Sequence, residues 1–347
     1  MPLLLDTARS GAAADWRGSN CLTIALVNNM PDAACEATER QFLDLLRAAA
    51  ANVIVRLVLF SIPEIRRADA MREGLAGRYR DIDQLWDLTV DGLIVTGTEP
   101  RAARLQDEPY WPALARLVDW SRDNGVSAIW SCLAAHAAVL HADGIEREAL
   151  GDKLFGVFDC RIVADHTLLA GATSPMRVPH SRYNGLAEKA LVAGGYRILT
   201  RSTEAGVDVF VKDGADRSLS LFLQGHPEYD ADSLLREYRR DVGRFLRGEH
   251  DRYPAAPQGL LGDKATAVAE GFRQLAIADR RASLLAEFPM NALATETKNT
   301  WRAEAARIYR NWIDLLKDRK ADQLPAARTR PRNRDAQRSP ADLPLGN

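Results

Sequence analysis

The chain has 347 residues, 46% hydrophobic and 27% charged, which is enough to bury one large α/β domain or two smaller ones. Its 46 basic and 47 acidic side chains nearly cancel, so the charge gives no reason to expect a nucleic-acid or anionic-membrane partner. There is no apolar run of about 18 residues, so no transmembrane helix is expected; the four cysteines lack metal-ligand spacing and suit free thiols in a reduced cytoplasm, with no metal.

Residues 1–20 lack the basic start and apolar core of a signal peptide and read as a flexible lead-in. Residues 21–27 predict a first buried strand. A helix is expected over 36–51, with Phe42, Leu45, Leu46 and Ala49 at helical spacing and Glu36 and Glu39 in its first turn. Residues 53–61 read as a second strand, followed by a polar connection with a helix over 82–87. Residues 92–97 predict a third buried strand and 111–124 an amphipathic helix. A strand over 126–130 then runs into Ser131-Cys132 and an alanine-rich helix from Leu133. Strands alternating with helices predict an α/β fold with a mostly parallel central sheet covered on both faces. The loops after Val27, Val95 and Trp130 should then share a cleft at the carboxyl ends of the strands.

The second half reads differently. Short strands are expected at 155–158, 161–163, 176–178, 196–199, 207–211 and 219–223, broken by turns as in antiparallel pairs. Asp232 is a plausible N-cap for a helix over 233–247, striped by Leu234, Tyr238, Val242 and Phe245. Residues 265–287 and 300–317 predict further amphipathic helices. Beyond 318 the chain is rich in Arg, Pro, Asp and Ser and reads as a disordered tail, 319–347. The catalytic domain is therefore placed at 21–318.

Two stretches carry chemistry. A cysteine at a strand-to-helix turn sits beside unpaired N–H groups at the positive end of a helix dipole, a setting that favours the thiolate. Taken alone, Cys132 reads more readily as a buried apolar side chain. The second stretch is Gln224-Gly225-His226-Pro227-Glu228, directly after a strand. With Pro227 keeping the segment extended, Glu228 can reach His226 and fix its tautomer. The other ring nitrogen is left to take a thiol proton. Cys132, His226 and Glu228 thus make a nucleophile, base and orienting carboxylate.

The chain resembles the homoserine O-succinyltransferase family, a branch of the flavodoxin-like class I glutamine amidotransferase-like α/β fold. The resemblance runs from about Leu22 to Leu316 through NNMPD at Asn28, TERQF at Thr38, DGLIVTG at Asp91, DWSRDN at Asp119, KLFGVF at Lys153, PHSRY at Pro179, GHPEYD at Gly225, EYRRD at Glu237 and WRAEAARIYRNW at Trp301. It implies an acyl-CoA-dependent O-acyltransferase of methionine biosynthesis, cytoplasmic and homodimeric. No cofactor is implied beyond acyl-CoA as co-substrate. Cys132 would carry the acyl group, His226 would act as base and acid, and Glu228 would be its partner. Arg240 matches the arginine implied to bind the carboxylate of L-homoserine, and Lys153 and Ser181 match the family's other substrate contacts.

In the family the loop after VTG reads the acyl donor, and its matching position here is Arg101. A cation there would attract the free carboxylate of succinyl-CoA and give acetyl-CoA no benefit. Glu99 nearby argues for acetyl-CoA. The chain also departs from the family pattern. It lacks the lysine that usually follows MP, the MP-to-QF segment is about two residues longer, and Leu133 and His136 replace a tryptophan and a glutamine. These departures leave alternatives: an acyltransferase acting on serine or another hydroxy-amine, an amidase, or a non-catalytic binding protein of the same fold. His136, one turn after Cys132, is read as a packing residue.

Overall fold

Alternate residues of the apolar strands point to opposite faces of one sheet, and helices cover both faces. The computed structural model describes residues 3–7, 20–214 and 217–323. The first half contributes β1 (Leu3–Asp6), β2 (Cys21–Val27), α1 (Asp32–Ala49), β3 (Ile54–Phe60), α2 (Asp69–Leu75), β4 (Gly92–Val95), α3 (Trp111–Asp123), β5 (Ser127–Ser131) and α4 (Leu133–Asp143). The second half contributes β6 (Glu148–Ile162), β7 (Met176–Gly185), α5 (Glu188–Ala193), β8 (Arg197–Ile198), β9 (Thr200–Ser202), β10 (Gly206–Val207), β11 (Val209–Asp213), β12 (Leu219–Leu223), α6 (Ser233–Leu246), α7 (Asp263–Ala278), α8 (Met290–Ala294) and α9 (Arg302–Gln323).

The main sheet has the order β1-β3-β2-β4-β5-β12-β11-β8. Strands β1 through β12 in that order pair in parallel, and β11 and β8 close the edge antiparallel. Ile24 and Leu26 face α1 and α9, whereas Ala25 and Val27 face the side covered by α3 and α4. This two-residue alternation lets a continuous apolar strand serve both layers. A second sheet, β10-β9-β6-β7, is antiparallel and stands against α6 and α7 through Phe155 and Val157. Among the described residues no helix is long and apolar enough to cross a membrane.

Several boundaries differ from the sequence expectation, each for a tertiary reason. Leu3–Asp6, inside the expected lead-in, adds a parallel edge strand to β3, where Asp6 meets Arg56 and, at 2.7 Å, Arg80. Helix α1 starts at Asp32, earlier than its apolar stripe suggests: the Pro31 carbonyl accepts from the Ala34 and Cys35 N–H groups at 2.8 and 2.9 Å, and the Asp32 carboxylate ties this first turn to the Ala68 N–H at 2.8 Å. Residues 82–87 give only a 3-10 turn, Ile82–Leu85. The strands expected at 155–158 and 161–163 are one long strand, β6, held by β7 and irregular between Ala149 and Leu154. Helix α9 runs past 318 to Gln323, where Lys320 Nζ donates to the Cys21 carbonyl at 2.7 Å and pairs with Asp91 at 2.9 Å. The rest of the expected tail lies outside the described residues. Asp232 does not cap α6 with its side chain; it pairs with Arg236 at 3.0 Å.

Candidate active site

The carboxyl ends of β2, β4 and β5 converge as the parallel order requires. The Asn29 N–H donates to Thr96 Oγ1 at 2.8 Å, tying the loop after β2 to the loop after β4. Cys132 caps α4 with φ 52° and ψ −113°, a left-handed conformation that a side-chain-bearing residue holds only when its surroundings force it. The force is visible: its N–H donates to the Leu223 carbonyl at 2.7 Å, and its own carbonyl already starts the helix by accepting from Ala135 at 3.0 Å. The strand therefore turns sharply, leaving the thiol partly exposed at the helix N-terminus. Leu133 is the first helical residue, so its N–H has no acceptor within the helix. Gly97 closes on the same spot. A Cβ there would stand 3.0 Å from the Leu133 nitrogen and 3.0 Å from its Cβ, so only glycine fits without displacement.

His226 stands across from Cys132 on the loop after β12. Its Nδ1 meets Glu228 Oε1 at 2.8 Å, which leaves Nε2 uncommitted to the carboxylate. The contact arises from a turn, not from the extended run expected. Tyr229 N–H donates to the His226 carbonyl at 3.2 Å, and Pro227 supplies the fixed φ of the turn. Burial alone would push the imidazole down, but the charges of Glu228 and Cys132 outweigh it and hold His226 well above its ordinary value. The second Glu228 oxygen is buried without a hydrogen-bond partner among the described residues. The His226 ring also stacks on Tyr229, centroids 4.3 Å apart and planes 15° from parallel.

Tyr229 links this triad to the residues expected to contact substrate. Its hydroxyl donates to Glu237 Oε1 at 2.7 Å, and Ser181 Oγ donates to Glu237 Oε2 at 2.6 Å. Lys153 Nζ lies 3.5 Å from the same carboxylate and 2.7 Å from Asp241. Arg240 bonds Asp241 at 2.8 Å through Nε and reaches Glu237 at 3.4 Å. Lys153, Ser181 and Arg240 are thus brought together, and Glu237 and Asp241, which the sequence reading did not single out, hold them there. Burial would raise both acids, but Lys153 and Arg240 outweigh it, and both sit below the usual carboxylate range. Their signal was the i, i+4 spacing of acids in EYRRD, which puts them on one helix face. A cavity of about 810 Å³ opens beside Lys153 and Asp241.

Arg101 is not part of this cluster. Its side chain is exposed, and its backbone N–H donates to the buried carboxylate of Glu108. Glu99 on the same loop pairs with Arg244 of α6 at 2.9 Å. His136 packs as expected: it is buried, bonds Gln224 at 3.0 Å, and burial pushes it down to about 4, so it stays neutral. Behind the His226 loop, Cys160, His180 and Asp208 converge in full burial. The adjoining Arg182 guanidinium, 3.4 Å from His180 Nδ1, is a fixed positive charge that opposes a cation there.

A strained cysteine at a strand-to-helix turn, served by a histidine and a glutamate from the next parallel strand, defines an α/β protein of the class I glutamine amidotransferase-like type. A glutamine amidotransferase from Thermotoga maritima superposes with a TM-score of 0.51, covering 85% of this chain and 98% of its own, at 10% identity, a likeness of fold alone. The family model for homoserine O-succinyltransferase matches residues 7–321. Homoserine O-succinyltransferases of Rhodopseudomonas palustris and Bradyrhizobium japonicum are each 50% identical, over 85% and 86% of this chain and 88% and 90% of theirs. That of Thiothrix nivea is 40% identical over 84% of this chain and 81% of its own. The chain belongs to the homoserine O-succinyltransferase family.

Proposed function

We propose that the protein transfers the succinyl group of succinyl-CoA to the hydroxyl of L-homoserine through a thioester on Cys132. The observation that carries this reading is the His226 ring, held at Nδ1 by Glu228 at 2.8 Å and raised well above its ordinary value by the charges of Glu228 and Cys132. His226 takes the thiol proton, and the thiolate sulfur attacks the thioester carbonyl. The negative oxygen formed faces the unpaired Leu133 N–H at the helix N-terminus. Collapse breaks the bond to the CoA sulfur, which leaves as thiol with the proton from His226. The homoserine hydroxyl then gives its proton to His226 and attacks the acyl-cysteine. The ester departs, and the returned proton restores the thiol. No cofactor enters beyond the acyl-CoA co-substrate.

Homoserine brings one carboxylate and one ammonium. Arg240 and Lys153 supply cations for the first and Glu237 supplies an anion for the second, with Ser181 fixing the Glu237 rotamer. On this reading the enzyme works in the cytoplasm, where both substrates are soluble metabolites, and a homodimer is the expected assembly. Intact mass after incubation with succinyl-CoA tests the reading. A succinyl adduct on Cys132 that homoserine discharges is expected, and it should be absent in His226→Ala. The absence of any acyl adduct on the wild-type protein overturns it.

A further inference from the structure

We infer that His136 and Gln224 are positioning residues: their buried hydrogen bond braces the helix that begins at Cys132 against the loop that carries His226, and so sets the nucleophile and its base in register. The inference rests on the reading of Cys132 and His226 as an acting pair.

Each residue adjoins the group it would place. His136 lies one turn into α4, and its N–H donates to the Cys132 carbonyl at 3.3 Å. Gln224 stands two residues before His226 and directly after Leu223, whose carbonyl accepts the Cys132 N–H at 2.7 Å. Pairing of β5 with β12 ends at Ser131 and Leu223. Beyond that pair one chain enters α4 and the other enters the His226 loop. Across this fork His136 Nε2 and Gln224 Oε1 lie 3.0 Å apart, with the two residues 3% and 1% exposed.

The bond has a fixed direction. Gln224 Nε2 donates to the Val207 carbonyl at 2.7 Å, which orients the amide and turns Oε1 towards the imidazole. An amide oxygen only accepts, so His136 donates from Nε2. Burial, assisted by the charges of Arg182 and Arg147, holds the imidazole down at about 4. Near neutral pH the ring is therefore uncharged and keeps one tautomer.

The loop is anchored on its other side by three consecutive N–H groups. Gln224 donates to the Asp208 carbonyl at 3.0 Å, Gly225 to Asp208 Oδ1 at 3.2 Å and His226 to the Pro179 carbonyl at 2.8 Å. A Cβ on Gly225 would collide with the Val178 side chain and stand 3.0 Å from the Pro179 carbonyl oxygen, so the loop lies flush against β7. These anchors tie the His226 backbone to β7 and to the residue before β11. They do not set its distance from α4, which the His136–Gln224 bond does. A misplacement of about 1 Å at a reacting pair costs on the order of 100-fold in rate.

The test follows alkylation of Cys132 by iodoacetamide across about pH 5 to 9, read by peptide mass on the full chain, with urea unfolding of each variant alongside. Wild-type Cys132 should outpace that of His226→Ala near about pH 6, because the imidazolium stabilises the thiolate. His136→Phe fills the ring's space without a donor. It should slow Cys132 about 10-fold near that pH and move the profile towards that of His226→Ala. His136→Gln carries an amide N–H the same number of bonds from Cβ and should recover to within roughly threefold of wild type. A residue that only filled the core would change stability and leave the profile in place, so an unchanged profile in folded His136→Phe overturns the inference. Should His136→Phe fail to fold, an unchanged profile in Gln224→Met overturns it equally. Equal losses in His136→Phe and His136→Gln would assign the effect to ring packing and overturn it too. A wild-type Cys132 no more reactive than that of His226→Ala removes the underlying reading, and the inference with it.

Discussion

Tyr229 lies flat on the His226 imidazole, ring centroids 4.3 Å apart, while its hydroxyl bonds Glu237 at 2.7 Å. One side chain therefore joins the proposed proton-transfer group to the cluster that would hold the acceptor. It is itself fixed from the far end of the chain. Trp301 Nε1 and Asn299 Nδ2, just before α9, donate to the Tyr229 carbonyl at 2.9 and 3.0 Å.

Tyr229→Phe keeps the stack and removes the hydroxyl. Glu237, partly buried and ionised, then loses a hydrogen bond worth about 1.5–3 kcal/mol. The discharge of acyl-Cys132 by homoserine should slow by roughly 10- to 100-fold, and acylation should slow much less. Rapid-quench measurement of the two half-reactions checks this. Equal slowing of both would mean that the Tyr229–Glu237 bond does not serve the acceptor.

Gly97→Ala addresses the wall opposite. The added Cβ would meet the Leu133 nitrogen and Cβ, both at 3.0 Å, so it crowds the N–H proposed to face the developing oxyanion. The acylation rate should fall roughly 10- to 100-fold, less than the roughly 100- to 1000-fold cost of removing an oxyanion donor outright. The unfolding midpoint should move little. A rate within twofold of wild type would place the oxyanion elsewhere.

The sequence made β5, the Cys132 turn and α4 legible because a short apolar run, a small polar pair and an alanine-rich helix need no tertiary help to be read. The His226–Glu228 contact was legible by spacing, but its geometry was not. Pro227 serves a turn there, and a proline fits a turn as readily as an extended segment. Glu237 and Asp241 escaped notice because acids on a polar helix face are ordinarily solvated. What buries them comes from Ser181 and Lys153, 56 and 88 residues away in sequence. Arg101 was chosen by position in a loop, and only the fold reveals that its side chain is exposed. Leu3–Asp6 looked like a lead-in because four residues cannot announce an edge strand before β3 is in place to pair with it.

The Asp208 carboxylate beneath the His226 loop gives a prediction with a definite sign. Its Oδ1 accepts from Gly225 N–H at 3.2 Å, and Thr200 Oγ1 donates to Oδ2 at 3.1 Å. Burial pushes it up to about 6, against the lowering effects of Thr200, Gly225 and Arg182. An unfolded aspartate titrates near 3.9, so the native protein binds this proton more tightly than the unfolded chain does. Asp208 therefore costs nothing below about pH 4 and destabilises progressively as the pH rises towards about 6, by roughly 3 kcal/mol in all. Asp208→Asn keeps an acceptor for Gly225 and does not titrate. Its stability relative to wild type should rise by roughly 2–3 kcal/mol between about pH 4 and pH 7 and then level off. Urea unfolding of both proteins across that range measures the difference. A stability difference that stays flat with pH would show that Asp208 titrates as an ordinary carboxylate and that burial does not govern it.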